Sequence, residues 1–227
     1  LKSYSSELQY TGTAMNDALK FALGATWFRE TGWDRSHSST FGSTAWTQFL
    51  GTVDNTSWGL YGQGSYAVND ALNITAGLRW SHDRKGITQQ SGNVPNRGPL
   101  TSCTPVNPAL LAADCARHRE DSWSNLSYTI GFDYKITPDV MFYAKHSKGY
   151  RAGAQQLRSL TLSDTTPAKP EINNEQEVGL KTEFMDRKIR FNIAGFHNRV
   201  SDAQRSVILA VGGTSQTILE NASTETW

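Results

Sequence analysis

A strict alternation runs through the stretch Leu126-Ser-Tyr-Thr-Ile-Gly-Phe-Asp-Tyr-Lys-Ile136 and decides the fold. Its even-numbered positions are apolar or aromatic, whereas its odd-numbered positions are small, polar or charged. Because successive side chains of a β-strand point to opposite faces, the stretch has one apolar face and one polar face. At about 10 residues it is also long enough to cross a bilayer as a tilted strand. The pattern is typical of a strand in a membrane-spanning β-barrel.

The same alternation recurs along the chain. Leu19, Phe21, Leu23 and Trp27 alternate with polar or small residues, as do Leu72, Ile74, Ala76, Leu78 and Trp80. We therefore predict an all-β fold, an antiparallel meander of about nine strands that forms part of a larger transmembrane barrel. The predicted strands are Ser3–Thr11, Leu19–Thr31, Ser57–Val68, Ala71–Lys85, Trp123–Ile136, Val140–Arg151, Asn174–Phe184, Ile189–Val200 and Gln216–Trp227.

The connections between these strands alternate in length. Short ones carry Asx and Pro residues that favour turns, at 12–18, 69–70, 137–139 and 185–188. Long connections are predicted as loops at Gly32–Thr56, Gly86–Ser122, Ala152–Asn173 and Ser201–Ser215. In outer-membrane barrels the short turns are periplasmic and the long loops are extracellular. The alternation therefore favours such a barrel over a soluble sandwich.

Tryptophans mark the ends of the predicted strands. Trp27, Trp58, Trp80 and Trp123 fall at the long-loop ends, where they are expected to form an aromatic belt at one membrane interface. The alternative is that these rings fill a soluble core. The belt interpretation predicts that the apolar strand faces are turned toward lipid and exposed, namely Leu126, Tyr128, Ile130, Phe132 and Tyr134 with Leu72, Ile74, Leu78, Leu19, Phe21 and Leu23.

The composition limits the function classes. The 227 residues have a mean hydropathy of -0.50 and no uninterrupted apolar run long enough for a transmembrane helix. A net charge of +1 gives no argument for a nucleic-acid partner. No signal peptide begins at Leu1, which for this class suggests that the true N-terminus is missing. Nine strands is an odd number, so residues 1–227 are expected to be an incomplete segment of the barrel domain.

An ordered series of blocks resembles the barrel strands of TonB-dependent outer-membrane receptors. The blocks are Ser6–Tyr10, Trp58–Tyr66, Leu72–Trp80, Val140–Gly153, Asn174–Glu183, Ile189–Asn198 and Leu219–Ala222. The resemblance implies a barrel of about 22 strands around an N-terminal plug domain. It implies a receptor in the outer membrane of a Gram-negative bacterium that imports a scarce solute, often a ferric siderophore.

The resemblance also implies the partners. They are outer-membrane lipid, an inner-membrane energy-coupling protein reached through the missing N-terminal region, and a small-molecule ligand such as an iron chelate. No cofactor is expected, and the absence of hydrolase, zinc-protease and phosphate-loop motifs argues against an enzyme. A passive outer-membrane porin remains an alternative, as does a structural or interaction component of a surface assembly.

Cys103 and Cys115 are the only cysteines, and both fall in one predicted long loop. A disulfide that closes this loop would contribute about 3 kcal/mol, and the periplasm is oxidising. The rival interpretation is a metal site with His118, but it lacks a fourth ligand and matches no zinc spacing. The disulfide is favoured, and no metal is expected.

Cationic residues of the long loops are the candidates for binding an anionic ligand. Arg117, His118 and Arg119 are consecutive, and cations suit the oxygen-rich surface of a ferric chelate. Tyr150 and Arg151 are expected at the mouth of the lumen, on the ligand side. The alternative for each residue is a solvated surface position. Inward charges on the strands are instead expected to pair with one another or with a plug, among them Arg79, Lys145, Glu177, Lys181 and Glu183.

Overall fold

A computed structural model describes residues 1–39, 45–103, 115–158, 166–211 and 214–227. Within these ranges all regular structure is β-strand, and no helix long and apolar enough to cross a membrane is present. The strands are β1 (Lys2–Ala14), β2 (Leu19–Ser39), β3 (Ala45–Ala67), β4 (Leu72–Pro95), β5 (Ser102–Cys103), β6 (Ala116–Thr137), β7 (Val140–Arg151), β8 (Glu171–Phe184), β9 (Ile189–Val211) and β10 (Thr214–Thr226).

The strands form one sheet in chain order. Every neighbouring pair is antiparallel, from β1 with β2 to β9 with β10, and only the short β5 lies off this path, paired with β4. The all-β antiparallel meander is therefore confirmed. Its nine long strands are joined by short turns at one end of the sheet, which we call the turn end. The opposite end, where β2–β3, β4–β6 and β9–β10 project, is called the hairpin end.

The turns follow from local chemistry. In the connection between β3 and β4, the side-chain oxygen of Asn69 accepts hydrogen bonds from the backbone N–H groups of Ala71 and Leu72, at 2.9 and 2.8 Å. This Asx arrangement reverses the chain within a few residues. The start of β2 at Leu19 and both ends of β7 agree with the sequence prediction, because strong turn residues flank them.

Three of the predicted long loops are wrong. β2 and β3 stay paired as far as Ser39 and Trp46, and β4 and β6 stay paired as far as Gln90 and Ala116. β9 and β10 likewise pair up to Val211 and Thr214. The physical reason is that the apolar/polar alternation of a half-buried strand disappears in these extensions, which are largely polar on both faces in β2, β4 and β6 and end in the apolar run Val207–Val211 in β9. Only the connection between β7 and β8 is irregular over most of its described length.

The apolar face predicted from the sequence points away from the polar one and is accessible. Cross-strand pairing places Leu78 opposite Tyr128 and Ala76 opposite Ile130, on one side of the sheet. Leu78 is 58% exposed and Ile130 is 53% exposed. None of the eleven residues predicted to face outward is buried. The apolar side chains therefore do not converge on a closed core.

The strands are staggered from one to the next. Leu19, the first residue of β2, is in register with Ala144 of β7 and Gly195 of β9. Gly195 lies six residues beyond Ile189, the first residue of β9. Over the six steps from β2 to β9, each strand therefore extends about one residue further past this row at the turn end than the strand before it. Six steps of ~4.8 Å against six residues of ~3.3 Å give a strand tilt of ~35°. This is the tilt expected of strands in a transmembrane barrel.

Candidate functional site

After β7 ends at Arg151, the chain folds back across the polar face of the sheet. We call residues 152–158 the inner segment. The side-chain amide of Gln155 donates a hydrogen bond to Asp121 of β6 at 2.6 Å. The backbone carbonyl of Gln156 accepts a hydrogen bond from the side-chain amide of Gln89 on β4. Arg158 donates to Asp34 of β2. The inner segment therefore spans several neighbouring strands.

Two glycines allow this close approach. A Cβ built on Gly51 of β3 would lie 2.7 Å from the Leu157 side chain, and one built on Gly153 would lie 2.3 Å from the indole of Trp123. Real Cβ atoms do not approach other atoms so closely. Glycine at such positions marks a place where another part of the chain packs directly against the backbone.

Backbone hydrogen bonds hold the start of the inner segment. Ala154 and Ala168 exchange N–H···O bonds of 3.2 and 2.8 Å, which bring the two arms of the β7–β8 connection together. The side-chain amide of Gln204 on β9 donates to the carbonyls of Ala152 and Lys169, at 2.9 and 3.0 Å. The segment is thus fixed at its base by β9 and along its length by β2, β4 and β6.

A cavity of about 840 Å³ lies between the inner segment and the hairpin end of the sheet. One side is formed by β2 and by Phe49 of β3, and the other by β9 and β10, where the Gln156 amide donates to the Thr217 carbonyl. Its size is within the range of small-molecule sites. The lining residues are Asp34, Ser36, His37, Ser38, Phe49, Gln155, Gln156, Leu157, Arg158, Ser206, Thr217, Ile218 and Leu219.

The predicted cation cluster is divided by strand geometry. Arg117, His118 and Arg119 lie within β6, not in a loop, and neighbouring residues of a strand face opposite sides. Arg119 binds Asp121 at 2.7 Å, whereas a His118 ring nitrogen lies 3.3 Å from the Thr88 hydroxyl. The three side chains therefore do not share one face, and their predicted position in a loop is wrong; a ligand contact by any of them stays a prediction.

Asp121 connects Arg119 of β6 to Gln155 of the inner segment. Burial of Asp121 opposes its ionisation, but hydrogen bonds from Arg119 and Gln155 outweigh that effect and hold its pKa below the ordinary value. The carboxylate is therefore ionised throughout the neutral range and keeps both partners in place.

Tyr150 and Arg151 lie at the base of the inner segment. Arg151 stays largely exposed, with its guanidinium 3.9 Å from Glu171. Lys85 of β4, which the sequence did not single out, has a pKa lowered by burial and by Arg151, against the opposing effect of Asp83. None of the five predicted ligand residues is among the residues that line the cavity.

The charges on the polar face lower in the sheet pair with one another. Lys145 of β7 binds both Glu175 and Glu177 of β8, at 3.1 and 2.8 Å. The Tyr143 hydroxyl donates to Glu177 at 2.6 Å, and the Lys181 ammonium lies 5.2 Å from the Tyr143 ring centre. The wall at this level is a self-contained polar network.

Three of the four predicted belt tryptophans share the outward face. Trp27 and Trp58 are cross-strand partners with ring centres 6.2 Å apart, and Trp80 lies one row nearer the turn end. Trp123 does not belong with them, because it pairs with Asp83 on the polar face and packs against Gly153. Its odd number within β6 already distinguishes it from the even-numbered outward residues. A further tryptophan, Trp227, stacks on His197 at 3.9 Å.

The structure contains the disulfide between Cys103 and Cys115, with Cα atoms 5.2 Å apart. It joins the two-residue β5 to the start of β6 at the hairpin end. Across the residues with described positions, no cluster of three metal-ligating side chains is found. The structure therefore gives the two sulfurs a structural partner in each other.

Comparison with known proteins gives a consistent family. The family model described as "TonB dependent receptor-like, beta-barrel" matches residues 2–226. The ferric yersiniabactin uptake receptor FyuA from Yersinia pestis has a TM-score of 0.68 and 16% identity, over 89% of this chain and 29% of that receptor. The ferric-catecholate import receptor Fiu from E. coli K12, in its closed form, has a TM-score of 0.66 and 14% identity, over 95% and 33%.

The copper transporter OprC is also similar, with a TM-score of 0.53 and 13% identity over 98% of this chain and 42% of that transporter. At these identities the solved structures show the shared fold, and the chain spans less than half the length of each. The family model, in contrast, extends over nearly every residue. Together with the staggered antiparallel sheet, this match shows that the chain belongs to the β-barrel family of TonB-dependent receptors.

Proposed function

We propose that this chain is the middle part of the barrel of an outer-membrane receptor that imports a scarce solute by active transport, with a ferric siderophore as the leading candidate. The observation that carries the proposal is the family match over residues 2–226. Receptors whose names refer to ferric yersiniabactin uptake and ferric-catecholate import share the fold. Energy for the transport would reach the receptor from an inner-membrane coupling protein through parts of the protein outside this segment.

The geometry supports the placement of this segment in an outer-membrane barrel. The outward apolar face between the turn end and the Trp27–Trp58 pair suits lipid, and the paired polar face suits the wall around a plug domain. The hairpin end would then be extracellular, as the long connections of such barrels are. There the cavity under the inner segment is the place where a ligand would first be held.

A passive porin is the second candidate, and one observation favours it. The inner segment folds inward across the polar face, as a constricting loop of a porin would. The two functions differ in their need for energy. A receptor holds its ligand and requires coupling to the inner membrane, whereas a porin passes small solutes down their gradient without it.

Uptake in the source bacterium tests the proposal. We expect deletion of the full-length gene to abolish accumulation of at least one radio-iron chelate under iron limitation, and a protonophore to abolish the same uptake in the wild type. Unchanged uptake of every iron chelate tried would point to another solute. Uptake that depends on the gene but resists the protonophore would establish the porin instead.

A further inference from the structure

The two ionic side chains of the described cavity lining, Asp34 and Arg158, pair with and neutralise each other. Arg158 donates two hydrogen bonds to one carboxylate oxygen of Asp34, at 3.2 and 2.9 Å. Among the described residues that line the cavity, these two side chains are the only guanidinium and the only carboxylate, and no lysine is present. His37 has an odd number in β2, which places it with the outward positions such as Trp27. Among the described lining residues that face the cavity, one cation is therefore balanced by one anion.

Apolar and neutral polar groups make up the rest of the lining. Phe49, Leu157, Ile218 and Leu219 contribute hydrocarbon surface from β3, the inner segment and β10. The Ser36 hydroxyl oxygen and the Gln155 side-chain oxygen are buried and have no hydrogen-bond partner. Buried polar atoms without partners are costly, so a ligand that supplies an N–H or O–H donor to them gains binding free energy.

The three arginines predicted from the sequence as ligand contacts are not part of the described cavity lining. Arg119 is bound to Asp121, and Arg117 also has an interaction partner. Arg151 lies at the base of the inner segment and outside the lining. A multiply charged anion that entered the cavity would lose hydration without gaining an ion pair, and that loss is large for a charged group.

We propose that the cavity selects ferric chelates that carry no net charge, such as tris-hydroxamate complexes, over trianionic tris-catecholate complexes. This inference rests on the proposed function and adds the charge class of the substrate. An uncharged complex matches the balanced lining, its organic shell covers the apolar wall, and amide N–H groups on its scaffold can meet the Ser36 and Gln155 oxygens.

Binding to the purified full-length receptor in detergent tests the proposal. Two hexadentate chelators built on one amide-bearing scaffold, one with three hydroxamates and one with three catecholates, are loaded with Fe(III) and titrated separately. We expect the hydroxamate complex to bind at least about tenfold more tightly, a ratio that corresponds to one decade of dissociation constant. Equal or tighter binding of the trianionic complex would overturn the inference while leaving iron import intact.

Two variants that break the same ion pair separate charge selection from a structural effect. Asp34→Asn leaves the Arg158 cation unbalanced, so the preference for the neutral complex should fall by about threefold or more. Arg158→Gln leaves the Asp34 carboxylate unbalanced, so the preference should rise by a similar factor. If the ion pair only held the inner segment in place, both variants would shift the ratio in the same direction, and the inference would be refuted.

The outward-facing pair Arg84 and Glu120 provides the matched control. It is also an arginine–carboxylate pair at the hairpin end, but neither residue lines the cavity. Arg84→Gln and Glu120→Gln should leave the ratio unchanged, and a change as large as that of the cavity variants would contradict the assignment. Failure of both complexes to bind the wild-type receptor would overturn the proposed function itself, and the charge inference with it.

Discussion

Replacing Gly153 by alanine should release the inner segment from the sheet. The new Cβ would lie 2.3 Å from Cζ2 of Trp123 and 2.7 Å from the carbonyl oxygen of Ala168. An ordinary van der Waals contact begins near 3.4 Å. The indole must therefore move by roughly 1 Å, and the Ala168 carbonyl by somewhat less, to accommodate the methyl group. Ala168 cannot move freely, because it exchanges two backbone hydrogen bonds with Ala154.

Overpacking of this kind costs about 1–3 kcal/mol. Because the clash is confined to the base of the β7–β8 connection, the cost should appear as local opening and leave the barrel strands paired. An equilibrium constant changes tenfold for every ~1.4 kcal/mol. The open population of the inner segment should therefore rise by about 5- to 150-fold.

Limited trypsin digestion of the full-length receptor measures this opening, since Arg158 is the tryptic site within the inner segment. Under conditions where opening and closing are fast relative to cleavage, the rate follows the open population. Gly195→Ala is the control, because a Cβ at Gly195 would meet nothing within 4 Å. An unchanged cleavage rate at Arg158 in Gly153→Ala would refute the packing of the inner segment against Trp123.

The remaining predictions concern the disulfide, one titrating carboxylate and the lipid-facing surface. Cys103→Ala should lower the stability of the hairpin end by up to about 3 kcal/mol, seen as faster proteolysis there that dithiothreitol reproduces in the wild type and not in the variant. Because the pKa of Asp121 is depressed, its stabilising bonds should persist at neutral pH and be lost as the pH falls below about 4; tryptophan fluorescence should report the change, and Asp121→Asn should remove it. Ile130→Arg should destabilise the folded barrel by about 2–4 kcal/mol in a denaturant titration, whereas Thr129→Arg on the polar face should cost clearly less.

The sequence predicted the membrane-spanning part of the sheet well, because one face of each strand must be apolar there. β7 agrees with its predicted bounds, Val140–Arg151, and β2 begins at the predicted Leu19. The hairpin ends were predicted poorly. Once both faces of a strand are solvated, as along Thr52-Val-Asp-Asn-Thr56, nothing in the sequence requires alternation, and strand and loop compositions become alike.

The candidate site could be predicted only in part. Strand parity alone separates Trp123 from the outward tryptophans and His118 from its neighbouring arginines, so these two errors were avoidable. The contacts of the inner segment were not. Arg158 and Asp34 are 124 residues apart in the chain, and no sequence motif around either residue indicates that the two interact. Such contacts depend on where an irregular connection packs against strands that are distant in sequence.

The stagger of the strands means that each row of cross-strand partners is an oblique path between the two rims of the barrel. Lys20, the second residue of β2, shares one inward row with Thr75, Gly131 and Lys145. The row reaches Glu177, seven residues before the turn end of β8. Across six strands, neighbours in contact therefore climb from the rim toward the middle of the wall. A movement of side chains that is transmitted along such a row around the circumference of the barrel therefore also reaches a different depth in the membrane.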